Sequence, residues 1–317
     1  MLLSFAPMEG ISSRPYRQTH ARFFGGVEEY FAPFIAPDGS GKFKASALRD
    51  VLPENNRGLR LIPQLLVNRA EPFLRVAEQL GDLGYEEVNL NIGCPSGTVV
   101  AKHKGAGMLL DLHTLDDCLA EIFSRCPIRV SIKTRMGMED TEEFAPILEI
   151  YNKYPLKRLI VHARARAGMY KSRVDLPGFL AALPQCRCPV WYNGDIFSPA
   201  DMEKLAESPG LTGVMLGRGT VADPALPRQI RGGKALDAGE LKSFHDALLE
   251  CFLAEGMQER AAMARLKELW FYMLYKFPDS KKEAKRLLKA QSGRDYRLAV
   301  DALFDSGKFD SDSFFWQ

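Results

Sequence analysis

Eight short, almost uninterrupted apolar runs recur through roughly the first 220 residues of this 317-residue chain, with helix-like stretches between them. The runs are Leu2–Met8, Tyr30–Ala36, Leu61–Leu66, Glu87–Gly93, Ile128–Arg135, Arg158–Arg164, Cys188–Asp195 and Gly213–Gly219. A strand that is apolar at nearly every position has to be covered on both faces, which is the condition of parallel strands in an α/β fold. Helical patterns fall between the runs at Glu71–Leu83, Leu115–Ser124, Thr141–Tyr154 and Pro199–Ala206, the last opening on Ser198 as N-cap with Pro199 in the first helical position. Eight alternating units predict a TIM (β/α)8 barrel. An open doubly wound sheet would be expected to show Gly-x-Gly-x-x-Gly after its first strand, and no such turn follows Leu2–Met8.

The pattern then changes. Arg231–Gly239 is rich in glycine and small residues and reads as a linker, and beyond it helical periodicity runs almost without break through Glu240–Gly256, Gln258–Lys276, Ser280–Gln291 and Arg294–Phe304. The sequence therefore predicts a barrel over residues 1–235 followed by a small all-helical C-terminal domain over 240–317. In the third helix, Ala284, Leu287, Leu288 and Gln291 are expected on one face, with Lys282, Lys285, Arg286 and Lys289 on a neighbouring one. From Arg260 to Arg297 eleven Lys/Arg stand against four Asp/Glu, a local net charge of +7 in a chain whose total is only +2. Such a surface suits a polyanion, although a charged helix face is more often simply solvated.

Composition removes several classes. With 46% hydrophobic and 26% charged residues the chain is neither disordered nor fibrous. No apolar run approaches the length of a membrane span, and the start MLLSFAPMEG lacks the parts of a secretion signal, so a cytoplasmic protein without membrane contact is expected. Six cysteines are too few for a disulfide scaffold of this length, and Cys186-Arg187-Cys188 has no partner set for a zinc site. Reduced thiols, no metal and a monomeric state are the expectations.

Barrel enzymes carry their chemistry at the C-terminal ends of the strands. Those ends hold Pro7-Met8-Glu9-Gly10, Gln64, Asn91-Ile92-Gly93-Cys94-Pro95, Lys133-Thr134-Arg135, His162-Ala163-Arg164, Asn193-Gly194-Asp195 and Gly217-Arg218-Gly219. Any one of them is explained by a rim hydrogen bond; polar residues at most of the ends predict a convergent site. Glycine turns after strands seven and eight are a common phosphate site in barrels, through backbone N–H groups and a helix N-terminus, and Arg218 adds a charge with fork geometry. Lys133 is placed to stabilise anionic charge on a ring or carbonyl, Gln64 offers a donor and an acceptor to an imide edge, and His162 suits phosphate or ring. Cys94, between Gly93 and Pro95, is held on a stiff turn. A thiol of ordinary acidity (pKa about 8.5) is mainly protonated near neutral pH, so it serves as an acid as well as a nucleophile. A cysteine in a barrel is otherwise most often a small core residue.

The segments Ala6-Pro7-Met8-Glu9-Gly10, Asn89-Leu90-Asn91-Ile92-Gly93-Cys94-Pro95, Lys104-Gly105-Ala106-Gly107-Met108-Leu109-Leu110, Asn193-Gly194-Asp195-Ile196 and Gly217-Arg218-Gly219 resemble, in order and spacing, the dihydrouridine synthases, flavin enzymes that reduce uridines in transfer RNA. The Pro-Met-Glu-Gly start and the helical tail look most like the bacterial C subgroup, the tRNA-dihydrouridine(16) synthases. The resemblance implies FMN at the barrel mouth, reduced by NADPH. Pro7, Met8 and Glu9 would lie along its ring with Gln64 and Lys133 at the polar edge, and His162, Asn193, Gly194, Asp195, Gly217 and Arg218 would complete the cofactor set. Hydride would pass to C6 of a uracil ring while Cys94 protonates C5.

The substrate implied is tRNA, whose uridine must leave its stack to reach such a pocket. Lys282, Lys285, Arg286 and Lys289 would grip phosphates. Asn91, Arg14 and Lys102, with Arg17 and Lys104, would add contacts at the mouth, and Arg164 would join them. One departure is His162-Ala163-Arg164-Ala165, where the family usually has His-Gly-Arg-Thr. The same chemistry on ribosomal RNA is an alternative reading. An FMN barrel reducing a free pyrimidine or enoate is another, which leaves the basic tail unexplained.

Overall fold

The structure is a computed structural model and describes residues 1–38, 40–42 and 44–315. The described chain divides into two compact units, the first made of Met1–Pro7, Glu28–Gly194 and Leu205–Met215, the second of Met8–Val27, Asp195–Lys204 and Leu216–Gln317.

The first unit is built on parallel strands β1 (Leu2–Phe5), β2 (Glu29–Phe31), β3 (Leu61–Ile62), β4 (Gln64–Leu65), β5 (Glu87–Ile92), β6 (Arg129–Gly137), β7 (Leu159–Ala165), β8 (Val190–Asn193) and β9 (Leu211–Leu216). Their order is β3-β2-β1-β9-β8-β7-β6-β5-β4. The two outermost members are the halves of one run interrupted at Pro63, which has no N–H to give to a ladder. The order therefore closes on itself as an eight-stranded TIM barrel, and all eight expected runs supply a strand. A bridge between Ile35 and Leu65 continues the closure beyond the short β2.

Alternation along each strand sorts the side chains. Val88, Leu90, Ile92, Val130 and Ile132 are buried on the face turned toward the surrounding helices. On the other face stand Glu87, Asn89 and Asn91 of β5 and Ser131, Lys133 and Arg135 of β6, in a register that pairs Asn91 with Lys133. Trp191 of β8 fills the interior, and a Cβ on Gly213 of β9 would fall 2.4 Å from its indole, so glycine is required there. At the N-terminal ends of the strands Arg158 reaches Glu29 (2.5 Å) and Glu87 at once, and its guanidinium lies 4.5 Å from the Trp191 ring centroid.

Several sequence boundaries shift for local reasons. The first strand stops at Phe5, and Met8 begins a turn in which its carbonyl accepts from the N–H of Ile11 and Ser12. The last stops at Leu216, and Gly217–Gly219 turn into the helix Arg218–Ala222. At Ser198 the hydroxyl donates to Asp201, whose carboxylate also accepts the N–H of Phe197 and Ser198.

In the second unit, residues after the first strand form the helix Arg14–Phe23, which is not among the helical patterns expected from the sequence. It packs along the helix Ala238–Ala254, with Phe244 edge-on to Tyr16 at 5.7 Å and to Phe24 at 5.1 Å. The helices Glu259–Met273, Lys281–Lys289 and Gly293–Asp305 follow. A buried polar chain ties three of these helices: His245 bonds Asp246 and the Tyr296 hydroxyl, and Trp270 donates to the same hydroxyl. In the helix Lys281–Lys289 only Leu287 is fully buried; Leu288 and Gln291 are exposed, so the inward face is narrower than expected. Among the described residues no helix is long and apolar enough to cross a membrane.

Candidate active site

The first unit gathers polar side chains at the C-terminal ends of its strands. An amide chain crosses β6, β5 and β4: Asn91 Nδ2 donates to Gln64 Oε1 (2.8 Å), Gln64 Nε2 donates to Asn89 Oδ1 (2.8 Å), and Asn89 Nδ2 donates to Ser131 Oγ (2.9 Å). These bonds orient every amide in the row. The free end of the chain is Asn91 Oδ1, which accepts the backbone N–H of Gly93 (3.0 Å) and of Cys94 (2.9 Å). Asn91, expected at the substrate, is thus also what shapes the turn that carries Cys94.

The Lys104-Gly105-Ala106-Gly107 segment packs under that turn. The Ala106 N–H donates to the Cys94 carbonyl at 3.1 Å. Gly105 has φ +57°, and a Cβ there would lie 2.9 Å from Cys94 Cβ; one on Gly107 would lie 2.7 Å from the Val100 carbonyl oxygen. Both glycines permit close backbone approach to the cysteine loop. Burial pushes Cys118 and Cys188 up to about 12 and Cys186 up to about 11, which keeps them protonated and inert. None of the six cysteines is in a disulfide, and no group of three metal-ligating side chains occurs among the described residues.

Lys133 is held level with Asn91 by the β5–β6 register. Among the described residues no acceptor lies within hydrogen-bonding reach of its ammonium. Burial, with the nearby Arg135 charge as a second cause, pushes it down to about 7, against an opposing pull from Cys94. Arg135 stands in the strand-end segment Lys133-Thr134-Arg135, whose motif assigns it no role. Its guanidinium donates to the carbonyls of Gly93 (3.0 Å), Ala165 (3.0 Å) and Met169 (3.1 Å) and lies 5.5 Å from the Tyr170 ring. The alternation 131, 133, 135 on β6 would have found it. Tyr170 had no such signal, because it stands in the loop after β7.

His162 and Arg164 share the inner face of β7, with Arg164 Nη1 3.1 Å from His162 Nε2 and Arg164 Nε donating to the Ser172 carbonyl. Arg164 is 2% exposed, so its guanidinium serves this rim rather than an open surface. Ala163 and Ala165, the departures from the family pattern, are both buried. Asn193 Nδ2 donates to the Met215 carbonyl, and Gly194 follows with φ +146°. Pro7 is half-buried and Lys102 exposed.

In the second unit, Met8 is half-buried, and its N–H and carbonyl both bond the Ser12 hydroxyl; Glu9 is exposed. Arg14 pairs with Glu255 at 2.5 Å. Arg17, expected to face RNA, is fully buried and donates to the Ser12 carbonyl at 2.7 Å, because the segment is a helix whose inner side it occupies. Asp195, at φ +35°, accepts from Arg218 at 2.7 Å. Its carboxylate therefore orients the arginine and would repel a phosphate. The helix that Arg218 opens has five residues, so the arginine's charge, and not a helix dipole, is what an anion would meet there after Gly217. Lys282, Lys285, Arg286 and Lys289 are all exposed.

Comparison with known proteins places this architecture. The sequence model of the family "Dihydrouridine synthase (Dus)" matches residues 4–289. tRNA-dihydrouridine synthase B of Pseudomonas aeruginosa is 27% identical over 255 residues, covering 78% of this chain and 75% of that protein. tRNA-dihydrouridine(16) synthases match over more of the chain: that of Cupriavidus necator is 29% identical, covering 84% and 88%, and that of Neisseria meningitidis is 29% identical, covering 86% and 85%. Among solved structures, histamine dehydrogenase from Rhizobium sp. 4-9 superposes with a TM-score of 0.56 at 11% identity, covering 83% of this chain and 48% of that one. Morphinone reductase gives 0.53 at 12%, covering 77% and 88%; both likenesses concern the fold. With its motifs ordered around the barrel and the family model spanning nearly all of it, the chain belongs to the dihydrouridine synthase family and is an enzyme of that type.

Proposed function

We propose that the protein reduces the C5=C6 bond of specific uridines in tRNA to 5,6-dihydrouridine, with FMN as its flavin and NADPH as the source of electrons. The observation that carries this reading is the presence at the barrel mouth of a cysteine on a fixed backbone turn, within the field of a lysine that has no acceptor of its own. An electron-rich ring edge is what Lys133 lacks, so the residues present fit a flavin.

A bound flavin supplies the hydride that adds at C6 of the uracil. Cys94 holds the proton for C5, where carbanion character develops as C6 is reduced. After transfer the sulfur carries the negative charge, and Lys133 and Arg135, whose fields already act on Cys94, stabilise it until a proton is restored. The amide chain from Ser131 to Asn91 holds the backbone turn that carries Cys94. Gly217 and Arg218 take the ribityl phosphate, and Pro7, Met8, Gln64, His162, Asn193 and Gly194 complete the cofactor contacts. The relatives' names point to tRNA, and the exposed basic face of the helix Lys281–Lys289 supplies a grip on phosphates; the enzyme works as a monomer in the cytoplasm, where tRNA is.

The test is mass spectrometry of dihydrouridine in separated tRNA and rRNA from cells lacking the gene, after incubation with protein, FMN and NADPH. Dihydrouridine should appear in the tRNA fraction and be lost with Cys94→Ala, by about 10²- to 10⁴-fold in rate, the usual worth of a positioned acid. Product in rRNA alone would move the substrate. No product from a protein that still binds flavin would favour a small-molecule reductase.

A further inference from the structure

Within the second unit, the Arg218 guanidinium is enclosed by three groups. Asp195 Oδ1 lies 2.7 Å from its Nη2, the Phe197 ring centroid 5.5 Å from its Cζ, and the Phe315 ring centroid 5.8 Å from it. Phe197 comes from the loop that follows Asp195. Phe315 comes from a segment almost a hundred residues beyond Arg218. It is 2% exposed, although its neighbour Phe314 is largely exposed. Its ring contacts Phe197 (5.4 Å), Tyr272 (5.3 Å) and Tyr275 (4.6 Å), and together with Ala222 these residues form a small cluster around the arginine.

The segment that delivers Phe315 is itself fastened. Lys276, 1% exposed, pairs with Asp223 at 2.8 Å and donates to the Ser311 carbonyl at 2.7 Å, while the Asp310 N–H donates to the Lys276 carbonyl at 2.8 Å. A buried lysine with both ends of its residue committed is a strong tether for six residues that have no helix or strand of their own. On the other side, Gly219 lets the helix approach so closely that a Cβ there would lie 2.1 Å from the Ile196 carbonyl oxygen, which fixes the Asp195–Phe197 loop against Arg218.

We propose that the segment Asp310–Phe315 is a strap that holds Arg218 in the orientation needed for a phosphate, making Phe315 a positioning residue for the phosphate-bearing end of the cofactor. This rests on the reading that Arg218 takes that phosphate. A guanidinium binds a phosphate well only when its planar fork faces two oxygens, so orientation decides as much as charge does. An arginine side chain left loose would lose its rotamer freedom on binding; one already enclosed by two rings and a carboxylate has lost it beforehand. The strap then gives selectivity for FMN over the same ring system without its phosphate.

The experiment titrates the full-length apoprotein with FMN and with riboflavin, reading quenching of flavin fluorescence. Phe315→Ala should weaken FMN about tenfold and leave riboflavin unchanged. Phe315→Leu, which keeps apolar volume but no ring, should move FMN in the same direction by less and guards against misfolding of the alanine variant; Phe315→Tyr should restore the wild-type value. Unchanged FMN binding in both Phe315→Ala and Phe315→Leu, or equal weakening of both flavins, overturns the strap. Arg218→Met separates the two layers: if it abolishes the preference for FMN while Phe315→Ala retains it, the strap alone fails. If Arg218→Met retains the preference, the assignment of Arg218 to phosphate fails and the strap with it.

Discussion

Arg158, at the N-terminal ends of the barrel strands, and Lys133, toward their C-terminal ends, are both cations on the barrel's inner face, and they are treated in opposite ways. Arg158 is 4% exposed and fully answered: Glu29 and Glu87 each receive two of its N–H groups, Arg60 balances Glu29 from outside, and Trp191 covers the guanidinium plane. Lys133 has the Arg135 charge beside it and no acceptor among the described residues. Lys133 is half-buried, and a desolvated ammonium without an acceptor costs stability that a bound electron-rich group would offset. One end of the barrel is closed electrostatically and holds the fold together; the other is left one anion short and is the end proposed to bind the flavin. The same contrast separates residues for stability from residues for chemistry in barrels generally.

Breaking the closed end should cost most. Arg158→Met leaves Glu87 buried without a cation and Glu29 with only the outer Arg60, and should lower unfolding free energy by about 3–5 kcal/mol in urea denaturation, while the folded fraction binds flavin with unchanged affinity. A loss of flavin affinity without loss of stability would merge the two ends. At the mouth, Asn91→Ala removes the oxygen that accepts the Gly93 and Cys94 N–H groups and should slow uridine reduction about ten- to a hundredfold, from about 1–3 kcal/mol for donors left unsatisfied. The accompanying sign is an altered rate of Cys94 alkylation by iodoacetamide with flavin affinity nearly intact; an unaltered alkylation rate would leave Asn91 a substrate contact only.

The pH response follows from Lys133. Its pKa is pushed down to about 7 in the ligand-free protein, from 10.5 when unfolded, so between these values the unfolded chain holds more protons and the stability of the apoprotein rises with pH. An electron-rich ring edge favours the protonated form, so flavin affinity should do the reverse and fall above pH 7, by at most about tenfold per pH unit. Riboflavin titrations from pH 6.5 to 9 check this without interference from the phosphate; a flat profile would mean that Lys133 is not at the ring.

Much of the fold is legible because burial on both faces writes itself as unbroken apolar runs, and every one of the eight became a strand. Strand ends were read too long where Gly194 and Gly217 turn the chain, since an apolar run does not stop where the ladder does. The helix Arg14–Phe23 was missed because its inner side is made of Tyr16, Arg17 and His20, a set that no hydrophobic pattern recognises. His20 sits there neutral, held down to about 4 by burial. The candidate site could be read from sequence where its residues stand at strand ends, as with Cys94, Lys133 and Asn193. It was hidden where it depends on contacts distant in sequence: the Gln64–Asn89–Asn91 row needs the barrel register, Tyr170 needs its loop, and Phe315 needs the tether at Lys276.

The contrast between the two ends is tested most directly by Lys133→Met, measured twice on one preparation: the urea midpoint of the apoprotein and its dissociation constant for flavin. The midpoint should equal or exceed that of the wild type, because a half-buried ammonium without an acceptor has been removed, and the dissociation constant should rise at least about tenfold, in keeping with the loss of one charge-assisted hydrogen bond. A destabilised apoprotein that binds flavin as tightly as the wild type would contradict it.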